Sequence, residues 1–467
     1  MNRAIAVLDI GKTNVKLALV DAATLTERRL LTRPNQPVTS GPYPHFDVDG
    51  LWGWLMDGLA GLAREAEIGA ISVTTHGACG VLVDGRGPVL PVLDYEHEGP
   101  DEVAADYEAI RPDFAETYAA RLPSGLNLAR QLYWQQRRWP EAFARATAFL
   151  TYPQYWAWRL SGVMASEVTS LGCHTDLWDL REGRPSSLVC KMGWEKLLPP
   201  VRPAAERLGA VLPEIVRRCG LPADCRVVCG IHDSNATLLP HVLSRPAPFA
   251  VFSTGTWAVL FSVGGRLETL ERTRDCLANV DALGRTVPCA RFMAGREWDA
   301  MMAGVEPAPF DAATLAAVIT RKVMAFAGFA PGVGPFPAAA GGWSQPVTGL
   351  SIGERTAAAA LSLALSADEC LRLTGAGGPV LVEGPLARND WFCTALAALS
   401  GREVRALPGS TGTTAGAALL ALGLDHRLVQ DEGALYAPAA LSGLAEYRQI
   451  WRERALQGLP PVASGWI

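Results

Sequence analysis

Two segments far apart in this chain spell the same local structure, and a chain that repeats a unit in this way builds two related halves. Ala4–Ile10 reads AIAVLDI, which is short, apolar and β-branched and suits a buried strand. Gly11-Lys12-Thr13-Asn14 is turn chemistry, and Val15–Val20 (VKLALV) runs back as a second strand, giving a hairpin. Placing Gly11 on Gly255 aligns AVLDIGKTNVKLALV with AVFSTGTWAVLFSVG, so that Ala6, Val7, Gly11 and Val15 meet Ala250, Val251, Gly255 and Val259. Both segments read strand, polar glycine turn, strand. Two similar α/β lobes follow, 1–244 and 245–467, with the boundary near Pro240–Pro248.

The rest of the chain supports that class. Apolar residues at Leu51, Trp54, Leu55, Leu59 and Leu62 have helical spacing across Leu51–Ala66, and Ala70–Thr74 is another buried strand. Gly80–Val83 and Val89–Leu93, flanking Asp84-Gly85-Arg86-Gly87, predict a further hairpin. Pro100 to Gly220 is helix-rich and carries Trp134, Trp139, Trp156, Trp158 and Trp178. Arg226–Gly230 predicts a strand ending on glycine, before Ile231-His232-Asp233-Ser234-Asn235 and a helical run. In the second half, Pro379–Glu383, the turn Gly384–Asn389 and a helix to Ser400 form a strand-turn-helix unit. Glu403–Leu407 with GSTGTTAG repeats it.

Composition narrows the function. Lys and Arg total 42 against 47 Asp and Glu, a net charge of −5 without a basic block, so nucleic acid is not an expected partner. Asp9 and Lys12 interrupt the apolar core that a signal peptide needs, which points to a cytoplasmic protein. Val323–Trp343 is long and uncharged, yet Pro331, Pro335 and Pro337 with several glycines make it turn and loop, not a membrane span. The 10 cysteines are scattered, with Cys225 and Cys229 the closest pair, and they read as reduced thiols instead of a zinc site.

Three places could carry chemistry. In the Gly11 turn several backbone N–H groups converge with Lys12 and Lys16 nearby, as a phosphate requires. Asp9 at the strand end would repel that phosphate unless a divalent cation lay between them, which implies Mg²⁺. The bland reading is a polar hairpin with an exposed lysine. Ser253-Thr254-Gly255-Thr256-Trp257 offers hydroxyls and N–H groups without charge, either as a second phosphate clamp or as ordinary hairpin chemistry. Asp233 follows a strand and opens a helix. It is either a helix cap or, at the lobe boundary, a base for a substrate hydroxyl attacking a phosphoryl group. His232 beside it reads as packing. GxxxxGK[ST], HExxH and GxSxG are absent, and Gly375-Ala376-Gly377-Gly378 precedes a strand, which argues against a dinucleotide fingerprint.

In their order and spacing, DIGKTNVK, GIHDSNA, STGTW and VEGPLARNDWF resemble the phosphate-1 loop, catalytic aspartate, phosphate-2 loop and adenosine segment of the FGGY carbohydrate kinases, from Ala4 to about Leu422. The resemblance implies two actin-like, ribonuclease H-like ATPase domains with sugar and ATP meeting in a cleft between them. It puts sugar and phosphate-1 on the first domain, and phosphate-2 and adenosine on the second. Carried over, Asp9 would hold Mg²⁺, and Gly11, Lys12, Thr13, Asn14 and Lys16 would line the γ-phosphate. Asp233 would be the base. Thr254, Gly255 and Thr256 would bind phosphate from the second lobe, and Gly384, Arg388 and Asn389 would border the adenosine. The chain looks closest to the rhamnulokinase and fuculokinase branch, with His76 and Gly77 at its sugar-facing strand end. The family's aromatic-x-Asp-x-Arg segment falls on Tyr95-Glu96-His97-Glu98-Gly99, so Tyr95 and His97 complete the sugar site. The Gly-Glu-Arg triplet often found after the family's Pro-rich segment reads as absent, with Gly341-Gly342-Trp343 standing nearby. The expected reaction is ATP-dependent phosphorylation of L-rhamnulose, with L-fuculose, a ketopentose or a polyol as alternatives and an ATP-binding sugar sensor as the rival from another class. A homodimer is left open.

Overall fold

The structure is a computed structural model and describes residues 3–409, 412–426 and 432–457. Ser410 and Thr411 of the GSTGTTAG segment lie outside the described residues. The chain divides into two units. One comprises Met1–Ser244, Ala278–Thr286 and Thr411–Leu428, and the other the remaining segments.

The first unit is built on the hairpin of β1 (Ala4–Ile10) and β2 (Asn14–Val20), extended by β3 (Glu27–Pro34), β4 (Ile68–Thr75), β5 (Arg207–Ala210), β6 (Arg226–Val228) and β7 (Ile231–His232). The order is β3-β2-β1-β4-β6-β5, with β7 also beside β4. β1, β4, β6 and β7 run parallel; the other strands are antiparallel to their neighbours. Every residue of β1 is buried because both faces are covered. Ala6, Leu8 and Ile10 pack with Leu51, Leu55 and Leu59 of α1 (Val48–Glu65). Ile5 and Val7 pack with residues of α2 (Asp233–Ser244) and of a helix at Gly412–Leu422. That helix fits closely against α2: a Cβ on Gly416 would collide with the Ala236 carbonyl. β3 escapes the sequence reading because ERRLLTRP is a largely exposed edge strand with no apolar alternation.

The hairpin expected over Gly80–Leu93 does not form. Its turn closes, with Val89 N–H on the Leu82 carbonyl at 2.8 Å, but Gly80–Val83 pairs with Ala148–Thr151 instead. Pro88 and Pro91 remove two ladder donors from the second segment, leaving it irregular.

The second unit repeats the pattern. β8 (Phe249–Thr254) and β9 (Ala258–Val263) form its hairpin, joined by β10 (Thr286–Phe292), β11 (Val380–Glu383), β12 (Val404–Leu407) and β13 (Ala434–Tyr436). The order is β10-β9-β8-β11-β12-β13, with Cys276–Val280 beyond β10. In each unit the hairpin's first strand lies between its own return strand and a later parallel strand. The repeat read from AVLDIGKTN and AVFSTGTWA is therefore a repeat of topology. The turns differ by one residue: Ile10 pairs with Val15, whereas Thr254 pairs with Ala258. Helices α3 (Ala294–Met302), α4 (Ile352–Leu373) and α5 (Asp390–Ser400) belong to this unit. Val323–Trp343 is turn and loop apart from a two-residue strand at each end, and no helix among the described residues is long and apolar enough to cross a membrane. All the cysteines are free thiols.

Candidate active site

In the first unit, parallel β1, β4 and β7 end on one edge of the sheet, where ligands of α/β sheets gather. The register sets Asp9 opposite Thr74 and Ile231 opposite the same threonine, so the carboxyl ends of three strands lie level. They deliver Asp9, His76-Gly77 and His232-Asp233 to one place. The His76 N–H bonds the Ile10 carbonyl at 2.9 Å, tying two of those ends together. Gly77 is required there, since a Cβ would lie 2.8 Å from His232 Nε2. Gly230 takes φ +91° where the chain passes from β6 to β7, and a Cβ would lie 2.8 Å from the Val73 carbonyl.

The charges at this edge are unevenly matched. Asp9 is buried and lies 3.6 Å from Lys16 Nζ. Burial pushes its carboxyl up to about 6; Lys16 pulls it down and the nearby Asp233 charge raises it. Asp233 accepts from the Ser234 N–H at 2.6 Å and lies 3.2 Å from His232 Nε2. Burial holds both His76 and His232 below the usual imidazole range, so each is neutral at pH 7. Asp233 therefore has no lysine, arginine or imidazolium ion partner among the described residues. The His76 ring is enclosed by Phe46, Tyr95 and Tyr152, its Nδ1 pairs with the Gly77 carbonyl at 2.9 Å, and its Nε2 is buried without a partner. With Nδ1 carrying the proton, Nε2 is an acceptor awaiting a donor.

The Gly11–Asn14 turn joins two antiparallel strands, unlike a P-loop, which joins strand to helix. Gly11 N–H bonds the Asn14 carbonyl at 3.0 Å, and Thr13 and Asn14 are exposed. Asn35 pins the turn through its side chain to the Gly11 carbonyl at 2.8 Å and its N–H to the Thr13 carbonyl at 2.8 Å. Lys12 pairs with buried Asp94 and, at 3.2 Å, with Glu96, over the rings of Phe46 and Tyr95. It thus connects the turn to the segment that carries Tyr95 and His97. The His97 ring lies 5.8 Å from Trp134 and 6.5 Å from Tyr43, packed among aromatic side chains.

In the second unit, Gly255 and Thr256 line a cavity of about 440 Å³ together with Gly295, Trp298, Leu363 and Leu386. That volume is within the range of small-molecule sites. Asn389 lines it too, while its side chain caps α5 through the Phe392 N–H at 3.0 Å. Gly384 and Arg388 stand in the adjoining turn and do not line the cavity. The Thr254 hydroxyl is engaged within the protein, donating to the Glu383 carbonyl and accepting from the Leu386 N–H at 3.2 Å. Gly384 has φ +80°, and a Cβ there would run into the Thr254 carbonyl, so the position requires glycine.

Several residues at these places had no separate signal in the sequence: Asn35, Asp94, Gly295, Trp298 and Leu363 are brought in by folding alone. Glu167 is another. It is fully buried and accepts from Thr169 Oγ1 at 2.5 Å and Thr169 N–H at 2.9 Å, and Thr169 Oγ1 in turn accepts from the His232 N–H at 3.1 Å. The Gly-Glu-Arg triplet read as absent is in fact present as Gly353-Glu354-Arg355, in the first turn of α4, where Glu354 and Ser351 form a capping box. Among the described residues no group of three His, Cys, Asp or Glu side chains could hold a metal ion. A magnesium ion that uses one carboxylate, phosphate oxygens and water fits Asp9 alone, whose charge is opposed by burial and by Asp233.

The chain is similar to known proteins. The N-terminal domain of the FGGY family of carbohydrate kinases matches residues 4–240, and the carbohydrate kinase FGGY C-terminal domain matches 246–430. The chain belongs to the FGGY family of carbohydrate kinases. A crystal structure of a carbohydrate kinase from Novosphingobium aromaticivorans is 35% identical with a TM-score of 0.86, covering 96% of this chain and 100% of that one. An L-fuculokinase from Salmonella typhi is 26% identical over 274 residues, 57% of each chain. A rhamnulokinase from Halalkalibacterium halodurans is 25% identical over 276 residues, 56% of each. The chain thus spans a little over half the length of these two curated relatives.

Proposed function

We propose that this FGGY protein transfers the γ-phosphoryl group of ATP to a hydroxyl of a small sugar, with L-rhamnulose the favoured acceptor. One observation carries the reading: among the described residues Asp233 is an accessible carboxylate without a cationic partner, at the strand edge that also holds Asp9 and the unpartnered His76 Nε2. A carboxylate so placed can take the proton from a sugar hydroxyl as its oxygen attacks phosphorus. His76 Nε2 accepts a second hydroxyl, fixing the ring. Tyr95, half-buried against the His76 ring, offers an apolar face suited to the methyl group of a 6-deoxy ketose, while buried Phe46 and Tyr152 hold that ring from behind. His97 and Gly77 would complete the sugar site.

Mg²⁺ on Asp9 would neutralise phosphate charge. The Gly11–Asn14 turn with Lys16 would hold the γ-phosphate, and Lys12 would reach it by leaving Asp94. Gly255 and Thr256 would hold phosphate at one end of the 440 Å³ cavity, where Leu363 and Leu386 give a base an apolar wall. Gly384, Arg388 and Asn389 border it through the turn, and Thr254 acts by fixing that turn. The working division is 1–244 for sugar and 245–467 for nucleotide, in a cytoplasmic enzyme.

A second acceptor, L-fuculose, is favoured by the stretch shared with the L-fuculokinase. A panel of ketoses and polyols read by ADP release tests the proposal. Sugar-dependent release with L-rhamnulose highest supports it; L-fuculose highest replaces the acceptor; no sugar-dependent release favours a sensor.

A further inference from the structure

The second unit holds another concave site, which shares no lining residue with the 440 Å³ cavity. It measures about 280 Å³ and is bounded by the end of α4 and the Gly375-Ala376 turn. Four guanidinium groups line it, from Arg266, Arg372, Arg402 and Arg448, against a single carboxylate, Asp368. Arg448 takes Asp368 at 2.7 Å. Arg372 pairs outside the lining, with Glu369 at 2.7 Å and Glu271 at 3.2 Å. Arg402 donates to the carbonyls of Ala376 and Gly378 and makes no carboxylate hydrogen bond, sharing the field of Asp368 with Arg448. Arg266 makes no side-chain hydrogen bond or ion pair with any described residue.

Capping of helix ends explains part of this cluster. α4 and α5 both finish here, and Arg448 also donates to the Leu399 carbonyl at 3.4 Å. Capping does not explain Arg266. The turn is shaped to admit that side chain: Gly375 has φ +56°, and a Cβ there would lie 2.9 Å from both Arg266 Cβ and Nε. Four guanidinium groups around one carboxylate, with Arg266 unpaired and Arg402 bonded only to carbonyls among the described residues, make a site for a small dianion. Planar forks of N–H donors match phosphate oxygens.

We propose that this cavity binds a phosphate monoester, such as a sugar phosphate, or free phosphate. Its volume lies below the usual range for drug-sized ligands, which suits an ion or a small ester.

Titration calorimetry on the full chain tests this with inorganic phosphate and with ribose 5-phosphate, against sodium chloride at matched ionic strength. ADP and Mg²⁺ are held at saturation throughout. The expected result is phosphate binding that Arg266→Ala weakens tenfold or more, with the thermal unfolding midpoint unchanged. Arg402→Lys, which keeps charge and loses the fork, should weaken it as well. Tighter binding of ribose 5-phosphate than of phosphate identifies an ester site, and equal affinities identify a free-phosphate site. Absence of binding in the wild type, or equal affinity in wild type and both variants, overturns the proposal and leaves the arginines as helix caps.

Discussion

Replacing Glu167 with glutamine should remove a pH dependence from the stability of the first unit. Burial pushes this carboxyl from its ordinary 4.5 up to about 7, against hydrogen bonds from Thr169 and Ser170 that lower it. The folded state therefore binds the proton more tightly than the unfolded chain. Its stabilising contribution is complete below about pH 4.5, declines as pH rises, and is gone above pH 7. A shift of this size corresponds to about 3 kcal/mol. Glutamine keeps the shape and cannot ionise, but its NH₂ faces the donors of Thr169. That mismatch should cost about 1–2 kcal/mol at pH 5. The two stability curves should then cross: Glu167→Gln is the weaker protein at pH 5 and equal or stronger at pH 8. Urea unfolding followed by tryptophan fluorescence at intervals between those values measures the difference. Asp9 and Asp368 also titrate high and slope both curves alike, so the wild-type-minus-variant difference isolates Glu167. A difference that stays constant with pH would show that Glu167 is ionised throughout, and the cause assigned to its shift would be wrong.

Other expectations follow from the same geometry. Asp9→Ala should impair turnover and raise the Mg²⁺ concentration required for the remaining activity; an unchanged Mg²⁺ titration would make Asp9 only a strand-end residue. His97→Ala should lower kcat/KM for the sugar about tenfold, or about 1.4 kcal/mol, with basal ATP hydrolysis unaltered. Equal sugar kinetics would reduce its ring to aromatic packing. Gly384→Ala combines a left-handed backbone with a Cβ inside the Thr254 carbonyl, and should destabilise the second unit by roughly 2–4 kcal/mol in chemical denaturation. A loss below 1 kcal/mol would mean that the turn relaxes.

The parts of this fold that were readable in advance are those where local chemistry and burial agree. β1 is a continuous apolar run because both faces are covered, β8 is buried over Phe249–Phe252, and their glycine turns announce the hairpins. β3 could not be read because an exposed edge strand needs no apolar period. At Gly80–Leu93 the Asp84–Gly87 turn closes as its residues predict, but Pro88 and Pro91 withhold the donors a second strand would need. In the candidate site, Asp9 and Asp233 are legible as strand-end residues, which is where a parallel sheet gathers its chemistry, whereas His76 comes from the family resemblance alone. Asp94, Asn35, Glu167 and the wall of Gly295, Trp298 and Leu363 act only through tertiary approach, and nothing in their own neighbourhoods marks them. Thr254 shows the opposite case: a residue named for phosphate contact whose hydroxyl is engaged in holding a turn.

The central claim is that Asp233 takes the proton from a sugar hydroxyl during phosphoryl transfer. Steady-state kinetics of Asp233→Asn, beside a direct measurement of ATP binding, test it most simply. The substitution keeps the shape and the bond from the Ser234 N–H, so the fold and ATP affinity should survive. Loss of the base should lower kcat roughly 10²-fold or more. A variant that binds ATP normally and retains more than half of the wild-type rate would contradict the claim.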